Sequence, residues 1–151
     1  MGKKISYYNN FSKSKFSNLS LQERFELIYN ENFWESDESR SGIGSEIENT
    51  KEALKALEYI IKEYIIKSII DVPCGDFNWM SKMDLKNIDY KGYDIVRSVI
   101  KDNNKKFKKS NISFFHSDIT DSKLDKADLM IVRDCLVHFS IEDIKKSIFR
   151  I

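Results

Sequence analysis

Four apolar segments, each ending at or near an acidic residue, constrain the fold of this chain more than any other feature. They span residues 65–72, 90–95, 112–116 and 127–132, and we expect a β-strand in each. Helical spacing over residues 96–107 and 141–148 predicts an alternation of strand and helix, which favours parallel strands. Nearly unbroken apolar strands are typical of a sheet covered on both faces. The sequence therefore predicts an α/β fold, a parallel sheet with helices on both faces.

The residues before the first strand predict helices. Apolar side chains at Leu21, Phe25, Ile28 and Tyr29 predict a helix over residues 21–34. Ser45 followed by Glu48 matches a capping box. The helix that follows carries one broad apolar face, formed by Ile47, Leu54, Leu57, Ile60, Ile61 and Tyr64. We divide the chain into an arm (1–18), a helical segment (19–64) and a sheet domain (65–151).

Charge and composition exclude several classes of partner. Lys and Arg total 25 and Asp and Glu total 24, so a net charge of +1 gives no general attraction to nucleic acid or anionic membranes. No apolar run approaches the roughly 20 residues of a membrane helix, and the N-terminus lacks a secretory signal. Cys74 and Cys135 are typical of reduced, buried thiols, and the cysteines and histidines do not cluster at metal spacing. We expect a cytoplasmic protein without a structural metal.

Acidic residues follow all four predicted strands. Asp71, Asp94, Asp118 and Asp134 lie at or near the carboxyl ends of the strands, which meet at one edge of a parallel sheet. Gathered carboxylates repel one another and lose hydration, so packing alone does not explain them. A ligand rich in hydroxyl and amino donors does.

Gly75 and Asp94 define the expected ligand site more closely. Gly75 lets the backbone approach a ligand, and an acid 19 residues later is placed to hold a ribose diol. The alternative for Asp94 is a solvated acid that caps the following helix. Asp118 is placed to accept a hydrogen bond from an adenine amino group, or else it is a turn residue.

Four segments in register, IIDVPCGDFNW, YKGYDIV, FFHSDIT and ADLMIVRDCLVHFS, resemble the class I S-adenosylmethionine-dependent methyltransferases, which have a Rossmann-like fold. The resemblance covers about residues 66–148 and implies S-adenosylmethionine as the cofactor. It places the methionine part beside Asp71, Cys74 and Gly75, the ribose beside Asp94 and Ile95, and the adenine beside Asp118 and Ile119. By the same resemblance, Arg133 and Asp134 line the methionine and substrate side, and Arg133 is among the cofactor-binding residues. RSGIGSEIENT together with PCGDFNW looks similar to a bacterial subgroup associated with surface saccharides.

Two residues depart from the family's first loop, which usually reads Asp-x-Gly-x-Gly-x-Gly. Pro73 replaces the first glycine, and Phe77 replaces the third. Because Pro73 has a fixed φ and no amide donor, we expect a modified loop path. The absence of G-x-G-x-x-G, with Phe77 crowding a pyrophosphate, argues against a nicotinamide-dependent oxidoreductase.

His138 is the candidate general base for methyl transfer to oxygen. Its ordinary pKa is near neutrality, and Asp134 would orient it if residues 134–138 turn helically. The alternative is a partly buried histidine at a helix start; His116 is more typical of a structural role. Trp79, Phe77 and Tyr93 offer aromatic faces to a sulfonium or pack in the core. The loop over residues 40–45 folds over the site, binds an anionic acceptor, or is a linker before the next helix.

The family's complete sheet has more strands than the four that this chain supplies. The strand over residues 127–132 would then be an uncovered apolar edge. Three explanations are open: a truncated gene product, a homodimer through this edge and a deliberately shortened chain.

The family resemblance and the candidate base predict an O-methyltransferase for a small-molecule or saccharide acceptor. The alternative is a non-catalytic module that binds the cofactor or a partner.

Overall fold

A computed structural model of the protein describes Phe16 and residues 18–150. In this part four parallel strands form one sheet in the order β3-β2-β1-β4. The strands are β1 (Ser68–Asp71), β2 (Asp89–Asp94), β3 (Ile112–His116) and β4 (Leu129–Ile131). The helices are α1 (Leu21–Asn30), α2 (Ile47–Glu63), α3 (Arg97–Phe107) and α4 (Ile141–Ile148). The expected parallel α/β sheet is confirmed; the arm expected over residues 1–18 lies, apart from Phe16 and Asn18, outside the described residues.

Alternate residues of β1 send their side chains to two apolar clusters. Ile69 packs in the cluster on the face that α2 and α3 cover, where Leu57 and Ile100 are buried. Ile70 packs in the cluster on the other face, against the segments that follow β3 and β4. This period of two is the geometry of a strand buried on both sides.

The first strand begins later than the sequence predicted, at Ser68 rather than at residue 65. Ile65 has φ 53°, and the amide of Ile66 donates to the carbonyl of Ile61, so these residues end α2 in a left-handed cap. Ser68 Oγ and Asp128 Oδ2 lie 3.0 Å apart and join the starts of β1 and β4. The apolar run therefore contains a helix end before the strand. Tyr64, predicted on the apolar face of α2, is exposed at the same cap.

The capping box predicted at Ser45 and Glu48 is wrong. Ser45 belongs to a short 3-10 helix, and the amide of Ile47 instead donates to a Glu38 carboxylate oxygen at 2.8 Å. A capping box is found at α1, where Ser20 and Glu23 satisfy each other's amides. Ser140 caps α4, since its side chain accepts from the amide of Asp143.

The structure describes both cysteines and most of the side chains that could bind a metal ion. Cys74 and Cys135 are both free and buried, as expected. Among the described residues, no helix has the length and apolar character needed to cross a bilayer. In the same part of the chain, no three His, Cys, Asp or Glu side chains converge as metal ligands would.

Candidate functional site

A cavity of about 440 Å³ opens at the carboxyl ends of the four strands. The segment that follows each strand contributes to its wall, and so does the chain before the sheet. The ten residues that sequence analysis named as site residues all line it: Asp71, Cys74, Gly75, Asp94, Ile95, Asp118, Ile119, Arg133, Asp134 and His138. The structure therefore brings together residues that are spread over 68 positions of the chain (from 71 to 138).

The turn after β1 is held by a hydrogen bond to Asp94 on one side and lies close to Ser41 of the preceding loop on the other. Gly75 has φ 54°, and its amide donates to Asp94 Oδ2 at 3.0 Å. A Cβ at this position would overlap Ser41 Oγ. Glycine is required here both for its conformation and for the close approach of the preceding loop.

Phe77 explains how the chain tolerates its departure from the family's loop. It takes φ 60°, a left-handed conformation that suits the glycine usual at this position. Its ring points away from the cavity into the core and packs against Tyr90 and Phe114 at centroid distances of 5.1 and 5.0 Å. The Val72–Pro73 peptide bond is cis. The bulk of Phe77 therefore does not narrow the cavity.

Asp94 serves the protein backbone and still faces the cavity. Its Oδ1 accepts from the amide of Val96, the residue before α3, at 2.9 Å and its Oδ2 from the amide of Gly75, so it fixes the turn into α3 as well as the glycine turn. The carboxyl is buried rather than solvated, and burial raises its pKa to about 6. The backbone amide of Ile95 also lowers this pKa as a donor, and a carboxylate has about four lone-pair sites, so Asp94 keeps capacity to accept from a ligand hydroxyl.

Asp71 is the second buried carboxyl of the site. Tyr90 donates its hydroxyl to Asp71 Oδ2 at 2.7 Å. Burial raises the pKa of Asp71 to about 7, although the Tyr90 hydrogen bond opposes this rise. Burial also raises the pKa of the Cys74 thiol, so this cysteine is a neutral wall residue rather than a nucleophile.

Asp118 forms the turn that was one of its two predicted roles. Its Oδ1 accepts from both the amide and the hydroxyl of Thr120, at 2.8 and 2.7 Å. Because Asp118 also lines the cavity beside buried Ile119, the turn fixes a carboxylate at the β3 end of the site. The turn role and a ligand role are compatible.

At the β4 end, Arg133 ties the chain before the sheet to the cavity wall. Its Nη2 donates to the carbonyl of Gly44 at 2.7 Å, and its Nη1 lies 3.0 Å from Asp134 Oδ2. The guanidinium also stands over the Trp79 ring, 5.4 Å from its centroid. Trp79 is thus the aromatic residue of the predicted three that borders the cavity, while Tyr93 stacks on Phe115.

His138 reaches the cavity mouth without the predicted helical link to Asp134. Asp134 has φ 49°, so residues 134–138 do not form the α-helical turn that would place the two side chains together. The ring of His138 instead packs against Trp34 and Phe25, at 5.6 and 6.4 Å. Partial burial lowers the pKa of His138, and the Asp134 charge opposes this. His116 hydrogen-bonds to the carbonyl of Ile95, a structural contact.

Sequence reasoning missed the contribution of the helical segment to the site. Phe25, Tyr29 and Trp34 line the cavity, although their spacing indicated only an apolar helix face. The loop over residues 40–45 folds over the site rather than acting as a linker. Asp76 holds it, because this carboxylate accepts from Ser39 Oγ, Ser41 Oγ and the amide of Arg40.

The fold and the cavity define the class of architecture. A parallel sheet ordered β3-β2-β1-β4, with the cavity beyond its carboxyl ends, is the Rossmann-like fold of class I S-adenosylmethionine-dependent methyltransferases, and solved structures share it. Neither a family model nor a curated protein matches the sequence.

Three solved structures illustrate the likeness. The methyltransferase domain of bacterial CtHen1-C is 21% identical, with a TM-score of 0.57 over 65% of this chain and 56% of that one. The plantazolicin methyltransferase BpumL, solved with a desmethylPZN analog and SAH, is 21% identical, with a TM-score of 0.52 over 87% and 57%. The PH0226 protein of Pyrococcus horikoshii is 20% identical, with a TM-score of 0.50 over 66% and 50%. The chain therefore spans about half the length of the structures it matches.

Proposed function

We propose that the cavity binds S-adenosylmethionine and that the protein transfers its methyl group to a hydroxyl of a small-molecule or saccharide acceptor. The observation that carries this proposal is the convergence of four strand-end carboxylates and a tight glycine turn on one cavity of about 440 Å³. This volume lies in the range of cofactor sites. An acid-rich wall suits a ligand that carries a ribose diol, an ammonium group and a sulfonium.

Each part of the cofactor has matching groups along the sheet edge. We assign the adenine to Asp118 and Ile119, the ribose to Asp94 and Ile95, and the methionine part to Asp71, Cys74, Gly75 and Arg133. The free lone pairs of the Asp94 carboxylate support the ribose assignment. This order leaves the β4 end of the cavity, with His138, for the acceptor.

When bound, S-adenosylmethionine supplies a methyl group on a positively charged sulfur. The chain contributes alignment of the acceptor oxygen behind the methyl carbon, which supplies roughly 7–11 kcal/mol of a barrier in favourable cases. The bound cofactor would supply its methyl group to the acceptor oxygen and keep the carbon–sulfur bonding pair on sulfur, and His138 would accept the proton that the hydroxyl loses. The lowered pKa keeps His138 neutral at pH 7 and ready to accept it. We assign Asp134 the role of stabilising the protonated ring by its charge.

Calorimetric titration tests the cofactor assignment. We expect the wild type to bind S-adenosylmethionine and its demethylated product but not NAD, and Asp94→Ala to lose this binding. Asp89→Ala is the matched control, because Asp89 lies exposed at the opposite end of the same strand. A folded wild type that binds neither adenosyl ligand would refute the proposal.

Transfer of labelled methyl groups to neutral glycosides and small hydroxyl compounds tests the reaction. His138→Asn is expected to lower turnover by roughly 100-fold, the scale of general base catalysis, while cofactor affinity stays unchanged. Cofactor binding without transfer to any acceptor would instead support the non-catalytic module.

The saccharide acceptor and the cytoplasmic location rest on sequence arguments. The segment over residues 40–50 is similar to the bacterial subgroup associated with surface saccharides. Its loop lines the cavity through residues that include Gly42 and Ser45. This position supports a role of the loop in acceptor binding. Recovery of methyl transfer with a surface saccharide as acceptor would establish it.

The edge of β4 carries the proposal of a homodimer. In the described part of the chain, β4 pairs with β1 alone, and its second edge has no strand beside it. Edge strands of this kind pair readily with another copy. Sedimentation at increasing concentration should show self-association, and a monomer throughout would exclude the dimer.

A further inference from the structure

Helix α1 lies outside the sheet but forms part of the cavity wall through Phe25 and Tyr29. Tyr29 lies in the last turn of this helix, and its side chain is half-buried. None of the strand-end motifs includes it. Its role therefore has to be inferred from its surroundings.

The hydroxyl of Tyr29 is a donor that has no acceptor among the residues that the structure describes. Within residues 18–150 it makes no hydrogen bond, although the side chain faces the cavity. Burial, followed by the charges of Asp76 and Asp102 and more weakly Asp94, raises the pKa of this phenol to about 12. Tyr29 therefore keeps its proton at neutral pH and lies in the field of carboxylates that border the glycine turn.

Arg40 fixes the position of Tyr29 relative to that turn. Its Nη1 donates to the carbonyls of Tyr29 and Asn30, at 3.3 and 3.1 Å, and so caps the end of α1. The backbone amide of the same Arg40 donates to Asp76 Oδ2 at 2.9 Å. One residue thus connects α1 with the loop that carries Gly75.

We propose that Tyr29 is a further cofactor-contacting residue, whose hydroxyl donates to a ribose hydroxyl oxygen of the adenosyl ligand. This inference rests on the proposed function. A ribose hydroxyl donates to the remaining lone pair of Asp94, and a ribose oxygen then accepts from a neighbouring donor, which Tyr29 supplies. The segment before the sheet is thereby part of the cofactor site, and Arg40 is its positioning residue.

Titration of Tyr29→Phe with S-adenosylhomocysteine and with 5′-deoxy-5′-methylthioadenosine tests this contact. The second ligand keeps the ribose but lacks the amino acid part. We expect affinity to fall roughly 3- to 10-fold for both ligands, the scale of one hydrogen bond, with an unchanged melting temperature. Tyr59→Phe, at an exposed position of α2, is the matched control and should bind like the wild type.

Arg40→Ala separates positioning from contact. We expect Arg40→Ala to lower the affinity for both ligands when Tyr29 is present. The loss should be smaller in the Tyr29→Phe background, because the two residues act through one hydrogen bond. Unchanged affinity of Tyr29→Phe overturns the contact, and a loss confined to S-adenosylhomocysteine overturns its assignment to the ribose. If the wild type binds neither ligand, the proposed function itself is refuted. If the wild type binds both ligands and Tyr29→Phe binds them equally well, only the Tyr29 contact is refuted.

Discussion

The two ends of the cavity are built in different ways. At the β1 and β2 end, Asp71 and Asp94 are 1% and 5% exposed, and hydrogen bonds from Tyr90, Gly75 and Val96 hold them. At the β4 end, the Asp134 side chain is 59% exposed, and it forms an ion pair with its neighbour Arg133. The first end belongs to the sheet, whereas loops assemble the second.

This difference separates a rigid part of the site from an adaptable one. Buried carboxylates that accept backbone amides have fixed positions, because any movement would leave a buried donor unpaired. Exposed loop side chains rearrange at little cost. In the proposed function, the rigid end holds most of the cofactor, and Arg133 of the adaptable end contacts its methionine part. The rest of the adaptable end takes the acceptor, so acceptors can differ between proteins that share the fold.

Gly75→Ala should produce the largest effect and break the rigid end. The left-handed φ costs an alanine about 1–2 kcal/mol, and the added Cβ would overlap Ser41 Oγ. We expect a lower melting temperature and a loss of S-adenosylhomocysteine affinity of more than roughly 30-fold, measured by calorimetry.

Gly44→Ala is the comparison at the adaptable end. A Cβ there would meet Asp134 Oδ2 at 3.1 Å, the mobile end of an exposed side chain, and Gly44 has no positive φ. Its affinity should stay within about 2-fold of the wild type. Equal losses in the two variants would contradict the contrast between the ends.

The same contrast explains what the sequence made predictable. Apolar runs with terminal acids located the rigid end, because the direction of a parallel strand fixes where its last residue lies. The spacing of Phe25 and Tyr29 predicted a helix but carried no information on which surface the helix covers. The expected link from Asp134 to His138 assumed helical geometry, and the left-handed φ of Asp134 prevents it. A capping box was likewise assigned to Ser45 rather than to Ser20, because the local pattern does not report burial.

Acidification should weaken cofactor binding at the rigid end. The carboxyls of Asp94 and Asp71 have pKa values near 6 and 7, so lowering the pH from 8 to 5.5 protonates the acceptors that the ligand requires. We expect the affinity for S-adenosylhomocysteine to fall roughly 10-fold over this range. Affinity that is independent of pH would contradict a role for these carboxylates.

The stability of the ligand-free protein should change in the opposite direction at these groups. A carboxyl with a raised pKa in the folded state binds its proton more tightly when the protein is folded. Its contribution to the free energy of unfolding is therefore full below the unfolded pKa near 3.9, and it is lost as pH rises through the folded pKa values of about 6 and 7. His138 acts with the opposite sign, since its folded pKa is lowered. The melting temperature of the wild type relative to Asp71→Asn isolates the carboxyl and should fall as pH rises; a constant difference would contradict burial of the charge.

Asp118→Asn should have an intermediate effect and sharpen the comparison at the β3 end. The asparagine Oδ1 preserves both hydrogen bonds from Thr120, so the turn remains. Its amide nitrogen then replaces an acceptor oxygen, which mismatches a ligand amino group. We expect a loss in affinity of roughly 5-fold by calorimetry. An unchanged affinity would leave Asp118 with its turn role alone, and Thr120→Val controls for loss of the hydroxyl contact.

Arg133→Gln should have the smallest effect on cofactor affinity and the clearest effect on amide exchange in the loop over residues 43–45. It removes the hydrogen bond to the Gly44 carbonyl and the contact with Trp79, which together hold residues 43–45 at the cavity wall. Amide exchange at these residues should accelerate by roughly 10-fold, since a local opening loses about one charged hydrogen bond, whereas S-adenosylhomocysteine affinity falls only about 3-fold.

Arg150→Gln is the control, because its guanidinium lies 4.0 Å from exposed Asp121, away from the loop. If Arg133→Gln abolished cofactor binding while exchange stayed slow, Arg133 would belong to the rigid end. The division of the cavity would then lie beyond β4 rather than between β1 and β4. If exchange accelerates and binding survives, the loop is the adaptable wall, and acceptor specificity is expected to depend on its sequence.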